Sequence, residues 1–196
     1  MLGQIEMVNF IRTIDYSILS FFHNTALNYG HILNPLAKAF HYIGNPLTCV
    51  PAIVCILLFI FTKRKRWLIV FVAICCSSAI SSLLIKQLVG RLRPFNQEVI
   101  SEYRDWWLTA GAIKETGKSF PSGHSASSMG FAISLFITSK RKNIAWLGFV
   151  YALLMAASRC YAVVHYPSDV MVGMIIGLIV GYLTIVLFRR YDVSSE

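Results

Sequence analysis

The chain has 196 residues, of which 56% are hydrophobic and only 14% charged, with a formal net charge of +9. The length suits one domain, and so few charges cannot clothe an ordinary soluble surface of that size. The positive excess lies in short runs between apolar stretches (residues 63–66, 140–142 and 189–190) and not in a basic groove interleaved with aromatics, which argues against a nucleic-acid partner and for a membrane protein.

In chain order, residues 1–24 lack a basic leader and a small-residue cleavage site, and Glu6, Arg12 and Asp15 interrupt the apolar positions, so no secretory signal is read there. Val8, Ile11, Ile14, Ile18 and Phe22 recur at helical spacing, which predicts a helix lying in the membrane interface, with a short sixth span as the rival. A second amphipathic piece is expected over 32–43, broken at Asn34-Pro35. Residues 1–45 therefore read as interfacial helices, 46–190 as an all-α polytopic membrane bundle, and 191–196 as a cytoplasmic tail.

Within the bundle, apolar runs predict about five spanning helices, at 46–61, 67–89, 124–138, 144–161 and 169–188, or six with the N-terminal one. The basic runs mark the inner ends, which puts the loop 94–121 and the turn near His165 outside. Trp67 and Trp146 read as interfacial anchors, and so does the pair Trp106-Trp107, with a brace for a lipid chain as the rival. Glu98, Glu102, Asp105 and Glu115 in the outer loop read as solvated, with nothing to mark them as metal ligands. Gly173, Gly177 and Gly181 fall near one helix face and predict close packing, as do Ser77, Ser78, Ser81 and Ser82. The five cysteines all lie in apolar runs without metal-ligand spacing and read as small apolar residues.

Three polar clusters sit against these spans. Lys86 lies inside an apolar run, where an ionisable residue is costly and usually faces a polar cavity. Arg93 follows seven residues later, about 10 Å along a helix axis, and shares a face with Lys86 if the helix continues to Pro94. In Pro121-Ser122-Gly123-His124, Ser122 suits a helix N-cap and Gly123 a close backbone approach, and the exposed N–H groups there suit an anion. In the third cluster, Ser158-Arg159 ends one span, His165 opens the next turn, and Asp169 lies four residues on, a spacing that lets a carboxylate orient an imidazole. Cations, backbone donors and two histidines form an inventory for phosphoryl transfer without a metal ion.

The spacing Lys86-x6-Arg93-Pro94, the run Pro121-Ser122-Gly123-His124 and the pattern Ser158-Arg159-x5-His165-x3-Asp169 resemble the three signature motifs of the type-2 phosphatidic acid phosphatase superfamily. The resemblance implies that His165 attacks phosphorus to form a phosphohistidine, that Asp169 orients its ring, and that His124 protonates the leaving oxygen and later activates water. It implies that Lys86, Arg93, Ser122, Gly123 and Arg159 hold the phosphoryl oxygens, with no metal and no cofactor. The expected partner is a membrane lipid bearing a phosphate or diphosphate, with the site facing outward from a bacterial cytoplasmic membrane. Compact bacterial members of the superfamily point to undecaprenyl diphosphate, with phosphatidylglycerophosphate or phosphatidate as the alternative. A transporter, a silent lipid-binding relative and a soluble vanadium haloperoxidase are rival readings. The oligomeric state is left open.

Overall fold

The computed structural model describes residues 2–45, 49–97 and 100–189. The expected tail at 191–196 and Glu98 lie outside them. Every long element among the described residues is helical: α1 (Leu2–Gly44), α2 (Val50–Thr62), α3 (Lys65–Ala79), α4 (Lys86–Val89), α5 (Glu102–Thr109), α6 (Gly123–Thr138), α7 (Lys142–Tyr161) and α8 (Pro167–Arg189). The all-α bundle thus stands. Among the described residues, three stretches are long and apolar enough to cross a membrane: Lys65–Asn96, Lys142–Tyr161 and Pro167–Phe188. Helices α2 and α6, at 13 and 16 residues, fall short of the roughly 20 that a full span needs.

The N-terminal region departs from expectation. One helix of 43 residues, about 65 Å long at 1.5 Å per residue, replaces two amphipathic pieces, and Pro35 lies inside it. A proline normally weakens a helix by removing one N–H. Tertiary partners hold the backbone there: Asn34 Nδ2 donates to the Thr109 carbonyl at 2.9 Å, and the Tyr161 hydroxyl donates to Asn34 Oδ1.

Helix α6 is the centre of the bundle, and small residues let its neighbours reach it. A Cβ on Gly173 would stand 2.5 Å from the Ser122 carbonyl oxygen, and one on Gly177 only 2.2 Å from that of Ala126. One on Gly181 would meet the Ile133 side chain at 2.5 Å. The glycine face of α8 therefore packs on α6, as its spacing predicts. On the other side, Gly130 of α6 receives Ser77, whose hydroxyl is buried and donates to the Ala73 carbonyl. Leu83, Leu88, Leu147 and Leu178 point outward and exposed, an apolar coat that belongs against lipid.

The basic loops α2–α3 and α6–α7 meet at one end, where Arg64, Arg66, Lys140 and Arg141 line a common cavity of about 440 Å³. The segment after α4, the N-terminus of α6 and the turn after α7 lie at the opposite ends of those same helices. All the polar clusters read from the sequence gather there.

Candidate active site

A change of helical winding positions the first cluster. Residues Ile80–Ile85 form a π-turn between α3 and α4, directly before Lys86. Such turns are rare and recur at functional sites, because they rotate the residues after them about the helix axis. Gly90 then ends the helix in the left-handed region at φ 65°, so Arg93 arrives on an irregular segment with extended backbone and not on the face of a helix shared with Lys86. The expectation of a continuous helix to Pro94 fails because this glycine supplies a conformation that other residues rarely adopt.

Arg93 is 1% exposed and every end of its guanidinium is engaged. Nε and Nη2 donate to the carbonyls of Gly117 and Thr116 at 3.2 and 2.9 Å, and Nη1 to that of Val164 at 2.9 Å. Nη1 also stands 3.2 Å from His165 Nε2, and Nη2 donates to Glu115 Oε2 at 3.2 Å. The loop between α5 and α6 thus wraps the arginine and fixes it against the third cluster.

His165 is 1% exposed. Its Nδ1 lies 3.6 Å from Asp169 Oδ2, beyond a direct hydrogen bond, and Ser119 bridges the gap. The Ser119 hydroxyl donates to Asp169 Oδ2 and sits 3.4 Å from His165 Nδ1. With its one proton committed to the carboxylate, Ser119 can only accept from the ring, which puts the proton on Nδ1 and leaves the lone pair on Nε2. Burial draws the imidazole down to about 4, opposed by Asp169 and assisted by Arg93. The ring is therefore neutral at pH 7. Asp169 in turn accepts from the Tyr166 N–H at 3.0 Å and from Arg91 Nη1 at 2.7 Å. Arg91 also pairs with buried Asp15 of α1 at 2.9 Å and lies over the Tyr166 ring at 3.7 Å.

The remaining predicted residues stand around the same space. Ser122 caps α6, its hydroxyl accepting from the Ser125 N–H at 3.4 Å, and its own N–H donates to the Asp169 carbonyl at 3.0 Å. A Cβ on Gly123 would be 2.6 Å from Ser82 Oγ, so this glycine seats the helix terminus against the π-turn. Arg159 is fully buried; its Nη1 lies 3.2 Å from His41 Nδ1, and its Nη2 donates to the Ala37 carbonyl at 3.4 Å. His124 is buried with Nε2 unpartnered and its ring 5.7 Å from that of His41. Lys86 is half-buried, within electrostatic reach of Arg93, Glu115, Asp169 and His165.

Glu115 is the main correction. Its expected solvation fails: the side chain is 13% exposed and its carboxylate lies among the clusters. Oε1 stands 3.3 Å from His41 Nδ1, 3.6 Å from Arg159 Nη1 and 3.8 Å from His124 Nδ1. Burial alone would raise its carboxyl; close His41, His124, Arg93 and His165 override that and hold it well below the usual carboxylate range. His41, Glu115 and His124 each place a ligand atom within 4.8 Å of the others, a spacing that a metal could span, yet two guanidinium groups beside the same carboxylate oppose a cation there. Trp106 is likewise no anchor: it is 8% exposed and stacks on His23 at 5.1 Å, while Trp107 stacks on Phe95 at 4.9 Å.

Beside the site an apolar cavity of about 460 Å³ opens between α2, α3 and α6. Gly44, Ser82 and Ser127 are among its lining, and the first two adjoin His124 and Gly123: a Cβ on Gly44 would be 2.9 Å from the His124 ring.

The profile of the PAP2 superfamily matches residues 66–192, more than half of the chain. The chain belongs to the PAP2 superfamily. Its class is that of the membrane lipid phosphatases within PAP2. It is 29% identical to the lipid A 4'-phosphatase of Bacteroides thetaiotaomicron, over 90% of this chain and 78% of that protein. It is 30% identical to the undecaprenyl-diphosphatase of Sulfolobus acidocaldarius, over 81% of this chain and 73% of that one. The crystal structure of a transmembrane PAP2-type phosphatidylglycerolphosphate phosphatase from Bacillus subtilis shares the fold, with a TM-score of 0.62 over 98% of both chains at 20% identity. That coverage takes in the residues of α1, which the family profile does not.

Proposed function

We propose that this PAP2 protein cleaves the phosphate of a membrane lipid through a phosphohistidine on His165, with undecaprenyl diphosphate as the preferred substrate. The observation that carries the reading is the orientation of His165. Nδ1 is tied to Ser119 and Asp169, so the Nε2 lone pair faces the cations, 3.2 Å from Arg93 Nη1. Before substrate arrives, Arg93 caps that lone pair; an entering phosphoryl oxygen takes the arginine and frees the nitrogen.

Nε2 then forms a bond to phosphorus as the bond to the leaving oxygen breaks, and His124 gives that oxygen a proton. Water attacks the phosphohistidine in the second step, losing its proton to His124 and releasing phosphate. Lys86, Arg93 and Arg159 neutralise the developing charge, with the α6 N-terminus at Ser122 and Gly123 adding its positive end. These cations supply what a divalent metal supplies elsewhere, so turnover persists in chelator.

The lipid tail has a place in the cavity beside His124, whose apolar lining suits a hydrocarbon chain and so supports a polyprenyl substrate. A lipid A phosphate is the second reading, favoured by the Bacteroides relative that matches 90% of this chain. In this reading α2 and α6 complete their spans with flanking residues, giving five crossings beside α1, and the basic loops at the far end support a site that faces outward from a bacterial cytoplasmic membrane.

The test is phosphate release by purified protein in EDTA from undecaprenyl diphosphate, lipid A, phosphatidylglycerophosphate and phosphatidate, compared as kcat/KM. The proposal expects undecaprenyl diphosphate to lead and His165→Ala to release none. Turnover by His165→Ala, or release only with added metal, overturns the chemistry; a different leading lipid overturns the substrate assignment alone.

A further inference from the structure

The cation cluster is not free of negative charge. Arg91 is balanced by Asp15 and Asp169. Arg93 and Arg159 share the carboxylate of Glu115, whose two oxygens are divided between them: Oε2 is 3.2 Å from Arg93 and Oε1 is 3.6 Å from Arg159, while Lys86 lies within electrostatic reach of both Glu115 and Asp169. With Arg91, Asp15 and Asp169 included, four cations face three carboxylates, a net charge of +1 that becomes +2 once Glu115 swings away, the complement of a phosphoryl dianion.

The carboxylate also fits its surroundings poorly. Oε1 is buried without a hydrogen bond, although three donors or imidazoles approach it within 3.3–3.8 Å. His124 Nε2 beside it is buried and unpartnered as well. Electrostatic attraction holds Glu115 here, and its carboxylate makes a direct hydrogen bond only at Oε2, from Arg93 Nη2, so a stronger anion that takes over the same cations can replace it. The backbone around it is held more firmly, because the carbonyls of Thr116 and Gly117 accept from Arg93. Only the side chain needs to swing for the space to clear.

We propose that the Glu115 carboxylate is the resident occupant of the phosphoryl position in the substrate-free enzyme, and that substrate binds by displacing it. Glu115 then acts as an internal competitor. It sets the affinity that an entering anion must exceed, and so keeps the nucleophile's pocket closed to the singly charged phosphodiester headgroups that crowd a membrane. A ligand whose binding-competent site is only partly populated binds more weakly by that fraction. This inference rests on the phosphatase reading, because it takes the cation cluster as the phosphoryl site.

Calorimetric titration of inorganic phosphate into the purified, detergent-solubilised protein tests it without turnover. Glu115→Gln should bind phosphate at least about tenfold more tightly than wild type, a gain of about 1.4 kcal/mol. Glu115→Asp, whose shorter side chain withdraws the carboxylate, should fall between them. Unchanged or weaker phosphate binding by Glu115→Gln overturns the proposal, because Glu115 then supports the site and does not compete for it. Should that variant fail to fold, carbodiimide labelling of wild-type Glu115, read by mass spectrometry, replaces it. Added tungstate should increase the labelling; decreased or equal labelling overturns the proposal. Tighter phosphate binding by Glu115→Gln in a protein that hydrolyses no lipid phosphate would overturn the phosphatase reading, and with it the displacement by substrate, and leave only the competition between Glu115 and a bound anion.

Discussion

Arg91 Nη1 meets Asp169 Oδ1 at 2.7 Å, and its second terminal nitrogen reaches Asp15 Oδ2 at 2.9 Å. One guanidinium therefore ties α1 to the helix that carries the carboxylate behind His165. Both acids are almost wholly buried, Asp15 at 1% and Asp169 at 0% exposure. Arg91→Ala should destabilise the protein by about 3 kcal/mol, since two buried carboxylates lose their cation. A thermal unfolding curve in detergent checks this, and Arg91→Lys should recover only part of the loss because it cannot fork between two partners.

Ser119 stands between His165 and Asp169 and should matter to the rate more than to the fold. Ser119→Ala removes the bridge and should lower kcat about tenfold, the equivalent of ~1.4 kcal/mol. Asp169→Asn should cost more, and the double variant should be no worse than Asp169→Asn alone, because both act through one imidazole. Additive losses in kcat would show that Ser119 acts elsewhere.

The contact of α8 with α6 leaves no room for a methyl group at Gly177, where a Cβ would be 2.2 Å from a backbone oxygen. Gly177→Ala should destabilise by about 1–3 kcal/mol through overpacking. A Cβ on Gly90 would meet nothing within 4 Å, but the residue sits at φ 65°, so Gly90→Ala should cost only about 1 kcal/mol, from backbone strain alone. Melting temperatures of the two variants in one detergent separate packing from conformation.

Much of this architecture is legible in residue order. The apolar runs and the four-residue glycine spacing of α8 announce helices and their packing face, because a helix's period is local. Ser122 as a cap is legible for the same reason, while the three clusters are legible as neighbours through the alternation of spans and basic loops and through the signature motifs. The π-turn before Lys86 leaves no local signature, and Gly90, visible as a glycine, is outweighed by the apolar run before it. Pro35 reads as a break because the partners that hold Asn34, on α5 and α7, are over 70 residues away. Glu115 and His41 escape for a related reason: a loop acid and one of three histidines on an amphipathic helix look solvated or structural until tertiary contacts place them. Arg91 is visible beside Arg93 but does not fit the spacing of the signature.

The neutral state of His165 makes stability depend on pH. Its folded value, about 4, lies below the ordinary imidazole value of about 6.5. Between the two, the unfolded chain binds a proton that the folded chain does not, so stability falls as pH drops from 6.5 toward 4. The loss is on the order of 3 kcal/mol. Wild type should lose more thermal stability than His165→Gln between about pH 7 and pH 4.5, and equal losses would place the titration on other groups.

The central claim is a covalent bond between phosphorus and His165. Purified protein mixed with a radiolabelled lipid phosphate in EDTA, quenched in alkali within milliseconds and digested for mass spectrometry, tests it directly. The account predicts acid-labile, alkali-stable phosphate on the peptide carrying His165, formed and lost at rates that accommodate turnover, and more of it in His124→Ala with a good leaving group. Steady hydrolysis with no label on that peptide, or with the label on another residue, would contradict it.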